Sequence, residues 1–385
     1  MFQSQRAVLF LLLSSMAVES VTGQCPPVEE CRKENFPVSN LTEYYNTTLG
    51  LSGAGLKKTL NSIIRGATKS NGEVLLNHFN LSYTPCVWVA LAEADANPDK
   101  NYPDEVIGLY SRNNFTKLNR VCGEPNKNDN DAWNREHVWA RSHGDFKRTH
   151  ADSDIHHIYV SDKTINSKGR SNYDFKLSEY ELNDAVDRLS ESNKVACDGC
   201  KVNENERTFE PPDVVKGQVA RAMLYMDTRY DGGDGTGTPD LTLVDRQTFG
   251  KEPAFGYLSE LLKWHCNFAV TEREERRNDV VQSWQGNRNP FIDRPDFVEA
   301  IWSNDYPDIF QDCKTGSDKP TPPDKPTPPT DKPTPTDKPT PTEKPTPTEN
   351  PTPTDKLTPT DKPTPPDKPT PTSEARANVS VLFCC

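Results

Sequence analysis

Apolar residues recur at three- and four-residue spacing in several separate stretches of the chain. Leu56, Leu60, Ile63 and Ile64 predict a helix over 55–66. Val215, Val219, Met223 and Met226 predict another, opened by Pro211-Pro212-Asp213. Phe255, Leu258, Leu261 and Leu262 mark a third. Thr271-Glu-Arg-Glu274 has the form of a capping box, and the helix it opens should stop at Gly286. Arg273, Arg276 and Arg277 crowd the first turns of that helix against its dipole, which calls for an anion or a carboxylate nearby. Pro295 begins a last helix with Phe297 and Ile301 inward. Tyr83–Ala94 and Val106–Ser111 read as core elements, the second a strand. Residues 134–176 read as a strand pair followed by a helix starting near Ser161, with Asp162 in its first turn. The fold class is α+β.

Composition divides the chain. Residues 1–23 have Arg6, the apolar run Ala7–Leu13 and a small-residue end at Gly23, the pattern of a signal peptide too short to span a bilayer. Residues 24–82 form an N-terminal extension with Cys25 and Cys31, and 83–314 the main folded domain. Most of the 34 prolines follow Cys313. There, residues 315–372 repeat Thr-Asp/Glu-Lys-Pro-Thr-Pro, a disordered spacer with almost nothing to bury, and 373–385 is a tail ending Cys384-Cys385. Ten cysteines suit an oxidising compartment; a disulfide suits Cys197-Asp-Gly-Cys200 better than half of a zinc site. Asn40, Asn46, Asn80, Asn114 and Asn378 head glycosylation sequons. The glycine-rich acidic loop 231–237 lacks the spacing of an EF-hand and reads as a turn. A net charge of −12 argues against a generally basic nucleic-acid binder but leaves room for local positive charge.

Chemistry concentrates in one stretch. Five of the seven histidines lie between His137 and His157, with Asn134-Arg135-Glu136-His137-Val138-Trp139, Asp154-Ile155-His156-His157 and Asn166–Asn172 around them. Carboxylate, carboxamide, imidazole and guanidinium together suit a hard cation and a phosphodiester. Glu136 and Asn166 can supply oxygen ligands to Mg²⁺, which keeps several waters. His137 has the imidazole to activate water near neutrality. Adjacent Glu136 and His137 can converge only at a strand end or bulge. Asp154 reads as a carboxylate orienting an imidazole, with a helix cap as the alternative. Of His156 and His157, one orders the site by hydrogen bonding and the other packs. Arg170 or Arg288 grips phosphate, although Arg288 could equally brace its loop. Arg135 and Asn172 are further nucleic-acid contacts.

These stretches, with Ile165–Ser167, Arg276–Asn278 and Gln285–Asp293, resemble the endonuclease I family of secreted or periplasmic nucleases with a ββα-metal finger. The likeness runs from near Tyr83 to about Trp302. It implies His137 as general base, Glu136 and Asn166 as ligands of Mg²⁺ or another divalent cation, and DNA as substrate, with RNA open. It also implies products with 5′-phosphate and 3′-hydroxyl ends. The sequence departs from the family pattern at Ala140 and Tyr159-Val160, and the segment Asn166–Arg170 is one residue longer. No His-Glu-x-x-His stretch supports a metalloprotease. A nuclease-like binding domain on a glycosylated stalk is the alternative. A secreted monomer away from membranes is expected, with Cys384 and Cys385 open to pairing between chains.

Overall fold

The computed structural model describes residues 31, 35–37, 39–66, 78–120, 132–178 and 197–315. The leader, the repeat, the tail with Cys384 and Cys385, and Cys25, Cys122 and Asn378 lie outside the described residues. What is described is a mixed α+β structure with short strands. Its helices are α1 (Leu41–Tyr44), α2 (Gly53–Arg65), α3 (Cys86–Ala94), α4 (Asp213–Arg229), α5 (Leu258–Asn267), α6 (Glu272–Gln285), α7 (Pro290–Asp293), α8 (Asp296–Trp302) and α9 (Pro307–Thr315). Its strands are β1 (Glu105–Ile107), β2 (Asn114–Thr116), β3 (Trp133–His137), β4 (Ile158–Asp162), β5 (Asp174–Phe175), β6 (Lys201–Asn203), β7 (Thr208–Glu210), β8 (Thr242–Val244) and β9 (Ala254–Gly256).

Helix α4 is the centre of the packing. The sequence predicts one apolar face, yet nearly every residue from Val215 to Arg229 is buried. The charged ones remain because each has a partner. Lys216 lies 2.6 Å from Glu210, Arg221 2.7 Å from Glu274, and Arg229 2.6 Å from Asp234. Gly217 is needed here, since a Cβ would stand 2.6 Å from the Phe268 carbonyl oxygen. Leu56, Leu60 and Ile64 of α2 enter the same core as α4, so the helix placed before residue 83 packs with the residues that follow it.

Helix α6 forms with both halves of its capping box made and a left-handed Gly286 at its end. Its crowded arginines find acceptors inside the protein. Arg277 donates to Asp95 at 2.7 Å and to the carbonyls of Ile155 and Ile158 at 2.8 and 2.7 Å. Arg273 and Arg276 donate to the carbonyls of Ile107 and Ala96. Asp95 also accepts the Val160 amide at 2.9 Å. The start of α6 thereby holds β4 in place.

Several boundaries differ from the sequence reading. Phe255 lies in β9, paired in parallel with β8, and the third helix begins at Leu258. The expected strand at 106–111 ends at Ile107. Strand β4 runs through Ser161 and Asp162, which pair with Asn134 and Trp133. Asp162 therefore lies in a strand and not in a helix's first turn; its carboxylate takes the Ser111 hydroxyl. Disulfides join Cys31 to Cys86, Cys197 to Cys200 and Cys266 to Cys313.

Candidate active site

Strands β3 and β4 pair antiparallel, and His137 opposite Ile158 is the last pair of the ladder. Glu136 and His137 thus occupy a strand end, where neighbouring side chains escape strict alternation. Glu136 is buried, and both of its partners address Oε1: the Tyr110 hydroxyl donates at 2.8 Å and Arg170 Nε approaches to 3.5 Å. Burial pushes the carboxyl up to about 7, while Arg170 and Tyr110 pull it down.

Arg170 itself has no surface to offer a phosphate. It is fully buried and donates to the carbonyls of Val138 and Tyr173, each at 2.7 Å, and of Ser171 at 3.3 Å. Its guanidinium also sits 4.3 Å above the Phe175 ring. The expectation that Arg170 grips phosphate is corrected: it braces Glu136 and the backbone on either side of it.

Asn166 lies on the turn of helix that follows β4. Ile165–Arg170 is a π-helix, closed by the Ser171 amide on the Asn166 carbonyl at 3.0 Å. A wide turn of this kind holds one residue more than a regular α-helical turn. Ser171 follows with a positive φ of 49°, where the chain turns toward β5. The Asn166 carboxamide donates to the Arg135 carbonyl at 2.9 Å. Tethered through its nitrogen to the peptide before Glu136, it presents its oxygen as an acceptor.

His137 is buried, with Nε2 3.2 Å from the Asp152 carbonyl oxygen. A carbonyl only accepts, so Nε2 carries the hydrogen and Nδ1 keeps a lone pair. Burial holds the ring well below its ordinary value, and His157 and Arg141 add to the effect. The imidazole is therefore neutral, with its lone pair on Nδ1. Tyr83 packs at 5.7 Å and His157 at 5.4 Å between ring centroids. Arg141 and Asp152 form an ion pair beside it, Nε to Oδ1 at 2.6 Å.

The supporting residues divide. Asp154 sits in a separate network. Its Oδ2 accepts Tyr225 and Tyr230 at 2.7 and 2.9 Å, its Oδ1 accepts Gln285 at 2.7 Å, and the imidazole beside it is that of His78 at 3.5 Å. His156 contacts the Asn287 carbonyl at 3.2 Å, and His157 contacts the Ala151 carbonyl at 2.7 Å while packing against the His137 ring. Arg135 stacks on Tyr83 and Trp88 and donates to the Tyr83 carbonyl. Asn172 is tied to Arg207 at 2.7 Å. Arg288 is corrected as a nucleic-acid contact: it is buried and chelates Asp293 through two 2.7 Å bonds, with Asp279 and Gln282 on Nη1. It is the loop brace. Asn40, Asn46, Asn80 and Asn114 are all exposed. Tyr110, Asp152 and Arg141 were missed because only the fold brings them to Glu136 and His137; their local sequence carries no sign of it.

Comparison with known proteins covers the region that holds this site. A family model described as Endonuclease I matches residues 53–296. The chain is 37% identical over 293 residues to an extracellular ribonuclease of Bacillus amyloliquefaciens, covering 76% of this chain and 89% of the relative. It is 37% identical over 268 residues to an extracellular ribonuclease of Bacillus subtilis (strain 168), covering 69% and 80%. A shorter match, 32% over 94 residues, joins it to an extracellular deoxyribonuclease of Aeromonas hydrophila, covering 24% of this chain and 33% of that protein. The chain belongs to the endonuclease I family and is a nuclease, a phosphodiester hydrolase.

Proposed function

We propose that the protein is a secreted, divalent-metal-dependent endonuclease that cleaves both RNA and DNA with little sequence preference, with a ββα-metal finger at β3, β4 and the π-helix. The observation that carries this reading is the pair at the end of β3. Glu136 is a buried carboxylate braced at Oε1, and His137 is a neutral imidazole whose Nε2 is tied to a carbonyl. The relatives' names support an extracellular setting and both substrate classes.

His137 Nδ1 takes the proton of the attacking water. The Asp152 carbonyl keeps the ring in the tautomer that leaves Nδ1 basic, and Tyr83 and His157 hold its plane. Glu136 and the Asn166 carboxamide would hold the cation, and their oxygens suit a hard ion. They are two protein oxygens, and water would complete the shell, as Mg²⁺ prefers. When bound, such an ion supplies Lewis-acid stabilisation of the phosphorane charge and of the leaving oxygen.

Attack by water makes no use of a ribose 2′-hydroxyl, which is why one site can accept RNA and DNA alike. The test is end analysis of products made by the secreted protein from matched RNA and DNA oligonucleotides, with Mg²⁺ and with EDTA. Metal-dependent cutting of both, leaving 5′-phosphates, is expected. RNA products ending in 2′,3′-cyclic phosphate, or cutting that persists in EDTA, would refute the mechanism.

A further inference from the structure

Asp152 holds two side chains at once, and only one of them is the base. Its backbone oxygen takes His137 Nε2 at 3.2 Å, and its carboxylate oxygen Oδ1 lies only 3.7 Å from the same nitrogen. Oδ1 is buried and accepts no hydrogen bond of good geometry among the described residues. It is thus a second acceptor within a small rotation of the ring. What holds it off is Arg141, whose Nε stands 2.6 Å from Oδ1 and whose Nη2 donates to Oδ2 at 3.0 Å. The Arg148 amide adds a 2.7 Å bond to Oδ2. Arg141 is in turn seated 4.7 Å over the Tyr83 ring, the ring that packs against His137.

We infer that Arg141 is a positioning residue that acts through Asp152, keeping the carboxylate away from His137 so that the neutral carbonyl alone sets the ring's tautomer and pitch. The inference rests on the reading of His137 as the base. A carboxylate competing for Nε2 would rotate the imidazole and carry Nδ1 off the line of the attacking water, and placement errors of this kind act on turnover. Lysine can supply the charge at this position but not the two-pronged grip. The ion pair closes a short loop from Arg141 to Asp152, so the base and its carbonyl are held by one local clamp.

The test compares Arg141→Gln, Arg141→Lys, Asp152→Asn and the Arg141→Gln/Asp152→Asn double variant in the full-length secreted protein at saturating Mg²⁺. Arg141→Gln is expected to lower kcat about 10–100-fold, the usual range for partners behind a catalytic shell, with KM within about twofold. Arg141→Lys should fall between it and wild type. With Asp152→Asn already present, the arginine substitution should cost no further turnover, since the competing carboxylate is gone. Ring-nitrogen chemical shifts of His137 should show altered Nε2 hydrogen bonding in Arg141→Gln and not in the double variant. A loss confined to KM would mean that Arg141 touches substrate and would overturn the inference, as would losses that multiply in the double variant. Wild-type turnover in Arg141→Gln would overturn it too. If Arg141→Gln does not fold, the kcat–KM split of Arg141→Lys decides. Wild-type activity in His137→Ala would instead refute the base itself, which keeps the two failures apart.

Discussion

Tyr110→Phe removes one oxygen from the site and little else. The phenol is buried, 1% exposed, and its hydroxyl donates to Glu136 Oε1 at 2.8 Å. Phenylalanine fills the same space against Phe209, so no cavity opens. What is lost is a hydrogen bond to a buried carboxylate, worth about 1.5–3 kcal/mol. Arg170 can compensate only in part, because its Nη donors are committed to the carbonyls of Val138, Ser171 and Tyr173 and only Nε, 3.5 Å from Oε1, faces the carboxylate. A carboxylate that is harder to hold in place is a poorer ligand, and an outer partner of this kind typically changes metal affinity by about 10–100-fold. The assay is the Mg²⁺ dependence of oligonucleotide cleavage, with calorimetric titration of the EDTA-stripped protein. The variant should need at least about tenfold more Mg²⁺ for half-maximal rate, keep most of its rate at saturation, and unfold within a few degrees of wild type when stripped. An unchanged Mg²⁺ requirement would refute the assignment of Glu136 as ligand and of Tyr110 as its brace.

Two further outcomes follow from the same contacts. Arg288→Ala should destabilise the protein by about 3–5 kcal/mol, because it leaves Asp293 buried without its partner; the rate per folded molecule and the salt dependence of nucleic-acid binding should stay as in wild type, and a weaker salt dependence would restore Arg288 as a phosphate contact. The fold should also be acid-sensitive: burial holds His78 at about 3 and His156 at about 4 as neutral rings, while the unfolded rings titrate near 6.5. The unfolded chain then binds more protons below about 6.5, so stability drops as pH falls from there toward about 4, by about 3 kcal/mol from His156 alone; urea midpoints that do not move between pH 7 and pH 4.5 would contradict this.

Much of the fold was legible because its signals are local. The spacing of Leu56, Leu60 and Ile64 marked α2, and the Thr271–Glu274 box with Gly286 marked both ends of α6. The adjacency of Glu136 and His137 required a strand end, and β3 ends there. Other features are decided by distant partners. Ser161 and Asp162 suit a helix start by type, but pairing with Asn134 and Trp133 extends the strand through them. An arginine's letter does not tell whether it faces a phosphate or a carbonyl. Arg170 and Arg288 proved to be buried braces, and Arg141, which sequence reasoning passed over, stands beside Asp152 and His137. Tyr110 reaches Glu136 across 26 residues, and Asp152 meets His137 through its backbone, which no side-chain pattern can announce.

Metal-assisted hydrolysis at this site is proposed to depend on one imidazole, that of His137. Nicking of supercoiled plasmid by wild-type and His137→Ala protein, each secreted, folded and supplied with Mg²⁺, tests it most directly. The variant should bind Mg²⁺ and substrate as wild type does and lose turnover by about 10²-fold or more, the contribution expected of a positioned general base. Cleavage by the folded, metal-replete variant at the wild-type rate would contradict it.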